Sequence, residues 1–413
     1  MIAENAHRPR WEWSLVLVVC LHLLSTAGAW WITDHGEILA VADNLLTNGR
    51  LDLHGLRPGW EQWAKIASAR GTEETRFAPL SIASLVPFLV LDRAFGWGDP
   101  GRFRVVYLQG HLFVTLGLFL IGRHARNLGS AEASSLTIWV LGLVWPVWMI
   151  ARRLGPEPVL FFLLALFAVG THRWRALARF LLPWTHASGP VLGLAAVLSA
   201  IRSERVLSLA LAWTGGVASV LAVWNLGVHG HLLMGGYARY SGDTFFVMRD
   251  SLTGFLATCG TFILWTLPIW IRGWRAGREA WIGVAAGVGI PMALLALSSN
   301  PEPERRLAAT LALVGGVFAG AALPRPAAMG AASLGALLSG VLGLSRDFVD
   351  SVETPLGLFS GPKLFWLHLL AERPTPVAWM SFLALCAATT LAARRVLALY
   401  GRRVTAVSIS SDE

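Results

Sequence analysis

A carboxylate lies a few residues behind the first long apolar run of this 413-residue chain. Asp34 follows that run, and apolar residues then recur at helical spacing as far as Asn48-Gly49. A carboxylate at the edge of an apolar layer can act as a general base, because partial burial moves its pKa toward neutral pH. Asp34 is therefore the first candidate catalytic residue. Asp34-x-x-Glu37 is also the acidic form of a capping box, so Asp34 can equally be the cap of a surface helix.

A second carboxylate and two pairs of arginines are further candidates for a site that acts on a phosphate-linked substrate. Glu157 lies in the segment "RRLGPEP", and we interpret it either as a second site carboxylate or as a plain loop residue. Arginine binds phosphate oxygens through a planar fork and stays charged. The pairs that could bind a lipid phosphate, or anchor helix ends at the membrane interface, are Arg152 with Arg153 and Arg305 with Arg306.

The composition indicates where such a site would lie. Hydrophobic residues make up 55% of the chain and charged residues only 14%, against about 25% charged in a soluble domain. Long apolar runs follow one another, which predicts an all-α polytopic membrane protein of about 10–12 transmembrane helices. The runs long enough to span are 14–32, 105–122, 134–150, 159–171, 206–224, 252–271, 281–298, 307–323, 327–345 and 376–393.

Two further segments leave the topology open. Residues 79–91 are short for a span, and prolines break residues 180–201. If both cross the membrane, loops 92–104 and 151–157 are cytoplasmic; if neither crosses, loops 123–133 and 172–179 are. Each pair of loops carries five arginines, so the positive-inside rule does not choose between them. Length favours ten spans, with 79–91 as an outer-face or re-entrant helix, and only this interpretation puts Arg152 and Arg153 outside.

The arginines predict on which side of the membrane the two ends of the chain lie. The net charge is +9, and only two basic residues of the 34 are lysine. The arginines cluster at the ends of apolar runs, which indicates membrane orientation and no nucleic-acid partner. Both termini are predicted in the cytoplasm, with 394–413 as a cytoplasmic tail of one membrane domain, 1–413. The loops predicted to face outward are 33–78, 225–250, 299–306 and 346–375.

The first outer loop has the pattern of two interfacial helices. The first runs from Asp34 to Asn48-Gly49, whose left-handed glycine would end it. The second is predicted in "PGWEQWAKIASARG", with Trp60 and Trp63 at the depth where aromatic side chains meet the membrane surface. Amphipathic helices of this kind would mount Asp34 at the mouth of the bundle.

The motifs of the chain resemble, in order and spacing, those of the GT-C superfamily of polyprenyl-phosphate-sugar-dependent glycosyltransferases. That group includes protein O-mannosyltransferases, the lipid A aminoarabinose transferase and bacterial relatives. The matching elements are Asp34, Ala42, Leu45-Leu46 and Gly49-Arg50-Leu51, then "RFAPLSIASLVPFLVLDRAFG" (76–96), "RRLGPEP" (152–158), "WNLGVHGHLLMGGY" (224–237) and "PEPERRLAATLAL" (301–313). Where many relatives have an Asp-Glu pair, this chain has Asp34-His35.

The resemblance implies transfer of a sugar, with inversion, from a polyprenyl-phosphate donor to a glycan, lipid or protein acceptor. The enzyme would lie among the lipids of the bacterial inner membrane with its site on the outer face. Besides the carboxylates and arginines, the implied substrate loops contain His35, Glu37, Asn225 and Tyr237. No residue is assigned as a metal ligand and no cofactor is required, although a divalent metal ion is left open.

Two other functions fit a polytopic membrane protein. A transporter or flippase of a lipid-linked substrate should show repeated halves with helices broken at matching positions. No such halves are found, and the polar residues of interest lie in outer loops. A non-catalytic relative would keep the fold without the chemistry, and the Asp34-His35 pair leaves that alternative open.

Overall fold

The computed structural model describes residues 11–24, 33–61, 75, 77–99, 105–186, 188–199, 206–229, 252–292 and 307–351. Within these ranges the chain forms helices and no β-strand. The fold class predicted from the sequence, an all-α membrane protein, is confirmed. The α-helices of eight or more residues are α1 (Trp11–Leu24), α2 (Thr33–Asn48), α4 (Val86–Ala94), α5 (Leu108–Leu128), α6 (Ala131–Leu143), α8 (Pro156–Val169), α9 (His172–Leu181), α10 (Gly189–Ser199), α11 (Val206–Ser219), α12 (Leu252–Gly273), α14 (Leu311–Phe318) and α15 (Pro326–Ser351). Shorter helices include α3 (Pro79–Ala83), α7 (Trp145–Ala151) and α13 (Arg278–Val284). π-Helical turns extend α11 and α13 (Val220–Leu226 and Ala285–Gly289), and a further helical turn, Gly227–His229, follows the first of them.

The core forms around α5, α6 and α8. Every residue of α6 from Ala133 onward is buried, as expected of a helix that is apolar on all sides. Glycines let the helices approach closely, because a side chain at Gly117 would overlap Phe161 of α8. Gly315 of α14 lies in the same way against Leu141 of α6. These contacts fix the positions of the helix ends that carry the candidate site.

The predicted span 134–150 is not one straight helix. It is broken at Val144 into α6 and α7, and the two helices meet at 74°. Pro146 lies in the first turn of α7, where its ring is tolerated but cannot continue α6. The Ser339 hydroxyl accepts a hydrogen bond from the Trp145 amide at 3.0 Å and donates one to the Trp265 carbonyl at 2.9 Å. The bend turns α7 toward the loop that contains Glu157.

Residues 172–199 form two short helices, α9 and α10. The sequence interpretation of 172–179 as a loop is wrong, because α9 covers these residues. In 180–201 the helix is interrupted at Pro183 and begins again at Gly189-Pro190, where the prolines predict a break. His172 lies beside Ser208, and Trp184 donates to Ser219, so α9 runs alongside α11. Arg179 donates a hydrogen bond of 3.4 Å to the carbonyl of Ala196 in α10. With 10 and 11 residues, neither α9 nor α10 is long enough to cross a membrane alone.

The two ends of the bundle are distinct. Leu154, in the loop between α7 and α8, packs in one hydrophobic cluster with residues of α2, α3 and α4, and we call this the α2 end. At the opposite end, Gly320 lies against Leu128, and Gly316 lies against Ala168. Loop 151–157 and the described part of 92–104 are therefore at the same end as the first outer loop. The ten-span interpretation requires this arrangement.

Three described helices are long and apolar enough to cross a membrane: Val105–Leu128, Leu207–Leu226 and Pro326–Gly343. The bent pair α6 and α7 adds a fourth if it forms a single broken span. The helices within Trp11–Leu23 and Pro156–Val169 are apolar but shorter. The predicted span 376–393, the last outer loop beyond Ser351 and the tail 394–413 lie outside the described residues.

Candidate functional site

The helix that carries Asp34 ends where the sequence predicts. Gly49 closes α2 with φ +70°, and its amide donates to the Leu45 carbonyl at 3.0 Å. The helix includes Thr33, so Asp34 lies at its start. The capping box of Asp34 and Glu37 stays a prediction, because assigned helix ends are defined only to within one or two residues. The side chains of Asp34 and His35 lie outside the described part of the structure.

Residues 36–44 of α2 are all buried at the α2 end. Ile38, Leu39 and Val41 are at most 1% exposed and pack against Leu85 and Leu89. Burial of this apolar surface holds the helix in place by the hydrophobic effect. Asp34 thus lies one turn away from a fixed stretch of helix and not on a free loop.

Asp43 joins α2 to two distant segments. Its carboxylate is 1% exposed and accepts hydrogen bonds from the guanidinium groups of Arg57 and Arg93, the latter at 2.7 Å. The indole of Trp60 donates to the same carboxylate at 2.8 Å. Trp60 is 1% exposed, so its predicted place at the membrane surface is wrong. A buried carboxylate needs such partners, since desolvation would otherwise destabilise its charge.

Glu37 is a second buried carboxylate of α2. It is fully buried, and the Thr75 hydroxyl donates to it at 3.3 Å. Glu37 lies one helical turn after Asp34, on the same side of the helix. The sequence assigned it to the substrate loop, and the structure brings it to the same end of the bundle as Glu157.

Glu157 lies at the N-terminus of α8, next to a strained glycine. Its carboxylate is buried, with the residue 5% exposed, in the first turn of α8, where the helix dipole favours negative charge. Gly155 before it has φ +127°, a conformation open only to glycine. A Cβ at Gly155 would lie 3.2 Å from Glu157 Oε2. The carboxylate therefore folds back over the loop.

The loop between α7 and α8 also carries basic side chains. Arg152 follows directly after α7 and is half-buried. His22 is held by the Gly142 carbonyl, 2.7 Å from its Nε2. Arg153 follows on the same loop and is half-buried. The structure thus places Arg152, Arg153 and Glu157 together at the α2 end, as the ten-span interpretation expects.

A buried amide that the sequence did not single out connects the two loops. Gln109, fully buried at the start of α5, bonds both backbone groups of Gly155, donating to the carbonyl at 3.0 Å and accepting from the amide at 3.3 Å. It also donates to the Ser84 hydroxyl at 3.0 Å, in the break between α3 and α4. A single glutamine in an apolar run has no local pattern that predicts such partners.

The remaining predicted site residues are placed less fully. Asn225 is half-buried in the π-helical turn that follows α11. Arg305, Arg306 and Tyr237 lie outside the described residues. Among the described residues, no group of three or more His, Cys, Asp and Glu side chains is arranged to hold a metal ion.

Two crystal structures of ArnT from Cupriavidus metallidurans are similar to this fold. The apo structure has a TM-score of 0.57 and 17% sequence identity, covering 94% of this chain and 73% of ArnT. The structure bound to undecaprenyl phosphate has a TM-score of 0.55 and 16% identity, with the same coverage. The chain has the ArnT fold. The resemblance to GT-C glycosyltransferases is therefore confirmed at the level of the fold.

The sequence alone gives no comparable relative. Neither models of known protein families nor curated proteins match it. At an identity of 16–17%, the likeness to ArnT shows how the backbone is arranged and leaves the activity to be argued from this chain's own residues.

Proposed function

We propose that this protein is an integral membrane glycosyltransferase that uses a polyprenyl-phosphate sugar as donor. The observation that carries the proposal is the meeting of two carboxylate-bearing segments, α2 and the 152–157 loop, at one end of a bundle with the ArnT fold. One of the two ArnT structures holds undecaprenyl phosphate. A lipid phosphate of that kind is the leaving group that the basic residues of the loop suit.

In the proposed reaction, α2 and the 152–157 loop have different roles. An acceptor hydroxyl attacks the anomeric carbon, its O–H bond breaks, and Asp34 takes the proton as general base. The bond between the anomeric carbon and the phosphate oxygen breaks at the same time, and polyprenyl phosphate leaves with its negative charge. Arg152 and Arg153 stabilise that charge, since arginine forms charge-assisted hydrogen bonds with phosphate oxygens. Glu157 orients the sugar or the acceptor through its carboxylate.

The membrane orientation of the proposed site follows from the charge pattern. The connection between α12 and α13, at the end opposite α2, carries the exposed residues Arg275 and Arg278, which the sequence predicts to be cytoplasmic. By the positive-inside rule this end is cytoplasmic, and the α2 end faces outward. The acceptor would then be a glycan, lipid or protein on the outer face of the inner membrane.

Substitution of Asp34 tests the proposal. The purified protein in lipid nanodiscs should release labelled sugar from undecaprenyl-phosphate-linked hexose or aminopentose donors to an acceptor fraction of cell envelope. Asp34→Asn should lower this turnover about 100- to 10,000-fold, because an amide cannot accept the proton. Its melting temperature should change little, because Asn and Asp are nearly equal in size and a carboxylate in the first turn of a helix contributes only about 0.3–1 kcal/mol.

Asp99→Asn is the matched control, since Asp99 is an exposed carboxylate at the same end, 3.9 Å from Arg57. It should keep full turnover. If the wild-type protein transfers sugar from none of these donors, the proposed function is wrong. If Asp34→Asn turns over normally while folded, transfer stands but Asp34 is not the base, and Glu157→Gln is the next variant to measure.

A further inference from the structure

Gln109 uses both halves of its side-chain amide on one residue of the neighbouring loop. The NH₂ group donates to the Gly155 carbonyl and the oxygen accepts from the Gly155 amide. Because donor and acceptor are both satisfied, only one orientation of the amide fits. The second hydrogen of the NH₂ group goes to Ser84, so one side chain contacts both the 152–157 loop and the break between α3 and α4.

The loop rests directly on α5 at this point. A Cβ at Gly110 would lie 2.3 Å from the Arg153 carbonyl oxygen and 2.8 Å from that of Ala151. The backbone of the loop therefore touches the helix with no side chain between them. Gly155 adopts a positive φ in the same loop, which glycine can do without strain. Gln109 fixes the position of this flexible residue through two hydrogen bonds.

We propose that Gln109 is a positioning residue, which holds the loop carrying Arg152, Arg153 and Glu157 in register with the segment of α3 and α4 and, through α4, with α2. This inference rests on the proposed function, and it goes beyond it by assigning the geometry of the site to a residue that touches neither donor nor acceptor. The hydrogen bond to Ser84 matters as much as the two hydrogen bonds to Gly155. Ser84 lies between α3 and α4, and α4 is itself fixed to α2 through Arg93 and Asp43.

A small displacement of the 152–157 loop should have a large effect on the rate of transfer. Transfer requires the base, the acceptor oxygen and the anomeric carbon to be aligned, and a displacement of about 1 Å can cost about 100-fold in rate. Asp34 and the 152–157 loop belong to different parts of the chain. Among the described contacts, Gln109 is the residue whose hydrogen bonds reach both the loop and the segment behind α2. Its loss should release the loop without unfolding the bundle.

Hydrogen–deuterium exchange combined with transfer kinetics tests this on the full chain in nanodiscs. Gln109→Leu keeps the volume of the side chain but removes all three hydrogen bonds. We expect faster exchange in peptides covering 152–157 and a fall in kcat of about 10- to 100-fold. The apparent KM for the donor should change much less, because the lost interaction orients the reacting groups.

Ser134→Ala is the matched control. It removes a buried hydrogen bond of 2.7 Å from α6 to the Gly122 carbonyl of α5, away from the loop. Exchange at 152–157 and kcat should then stay as in the wild type. Ser84→Ala provides a second test, because it keeps the two hydrogen bonds between Gln109 and Gly155. It should lower kcat while residues 152–157 stay protected from exchange.

Several outcomes would overturn the inference. Unchanged exchange in Gln109→Leu would show that the amide does not hold the loop. Faster exchange with an unchanged kcat would show that the loop need not be held for transfer. If Gln109→Leu does not fold, an unchanged kcat in Ser84→Ala decides against the inference. A wild-type protein that neither transfers sugar nor binds undecaprenyl phosphate would overturn the proposed function itself, and the positioning role with it.

Discussion

Arg93 Nη2 donates a hydrogen bond of 2.7 Å to Asp43 Oδ1 across 50 residues of sequence. The bond fixes α4 to α2, and Arg57 and Trp60 bind the same carboxylate from the connecting loop. The candidate base on α2 is thus held by a network that lies two turns further along the helix. The network is structural, since its carboxylate is already bonded to three side chains.

Removing the centre of this network should destabilise the first outer loop. Asp43→Ala leaves two guanidinium groups and an indole without their acceptor, which should cost about 3 kcal/mol. Thermal unfolding in detergent measures the effect. Arg50→Gln is the control, because the Arg50–Asp52 pair is exposed, with side chains 49% and 26% accessible, and such pairs contribute about 0–1 kcal/mol. Equal melting temperatures for the two variants would contradict the role assigned to Asp43.

Gly155 should not tolerate a side chain. At φ +127° an alanine is strained by about 1–3 kcal/mol, and its Cβ would press on the Glu157 carboxylate 3.2 Å away. Gly155→Ala should therefore lower both the melting temperature and donor turnover. Gly277→Ala should be nearly neutral in both assays, because Gly277 has φ −64° and no atom within 4 Å of its Cβ position. A Gly155→Ala protein with normal turnover would show that the loop conformation is not needed.

The arginines of the loop should determine affinity for a lipid phosphate. Arg152→Gln and Arg153→Gln each remove a charge-assisted donor, worth about 1.5–3 kcal/mol, or about 10- to 100-fold in the Kd for undecaprenyl phosphate. Binding can be followed by native mass spectrometry in detergent. Arg126→Gln should bind as the wild type does, since Arg126 lies at the opposite end, beside Glu12. A similar loss in all three variants would indicate attraction to net charge alone.

Cysteine labelling can test the orientation of the bundle. With the three native cysteines replaced by serine, His54→Cys marks the first outer loop and Asn127→Cys marks the opposite end; both positions are exposed. A membrane-impermeant maleimide applied to intact spheroplasts should label His54→Cys at once. It should label Asn127→Cys only after permeabilisation. Labelling of both in intact spheroplasts would contradict the ten-span orientation.

The sequence predicted those features whose causes are local. The end of α2 at Gly49 was predictable because Asn-Gly sets a left-handed residue at a helix end. The fold class followed from the apolar runs. The break at Val144 had a visible signal in Pro146, but the unbroken hydropathy of 134–150 concealed it.

Other features depend on partners far away in the sequence. Trp60 looked like a membrane-surface aromatic because its acceptor, Asp43, is 17 residues earlier, on another element. Gln109 gave no signal at all, since Gly155 is 46 residues away. The arginines of α9 suggested a solvated loop, whereas Arg179 is buried with its guanidinium 4.2 Å from the Phe167 ring. Its burial lowers the pKa of Arg179 to about 10, which leaves it charged at neutral pH.

The shortness of α8 sets the depth of the candidate site. We take the exposed residues Arg123 and Arg173, near one end of this helix, as the level of the membrane surface, and the 14 residues of α8 reach about 21 Å from there. A hydrocarbon layer is about 30 Å thick, so the Glu157 end would lie about 9 Å beneath the far surface. A donor phosphate would have to lie below the headgroup layer to contact Arg152. At that depth bulk water is scarce, so the sugar would be shielded from hydrolysis until an acceptor hydroxyl arrives.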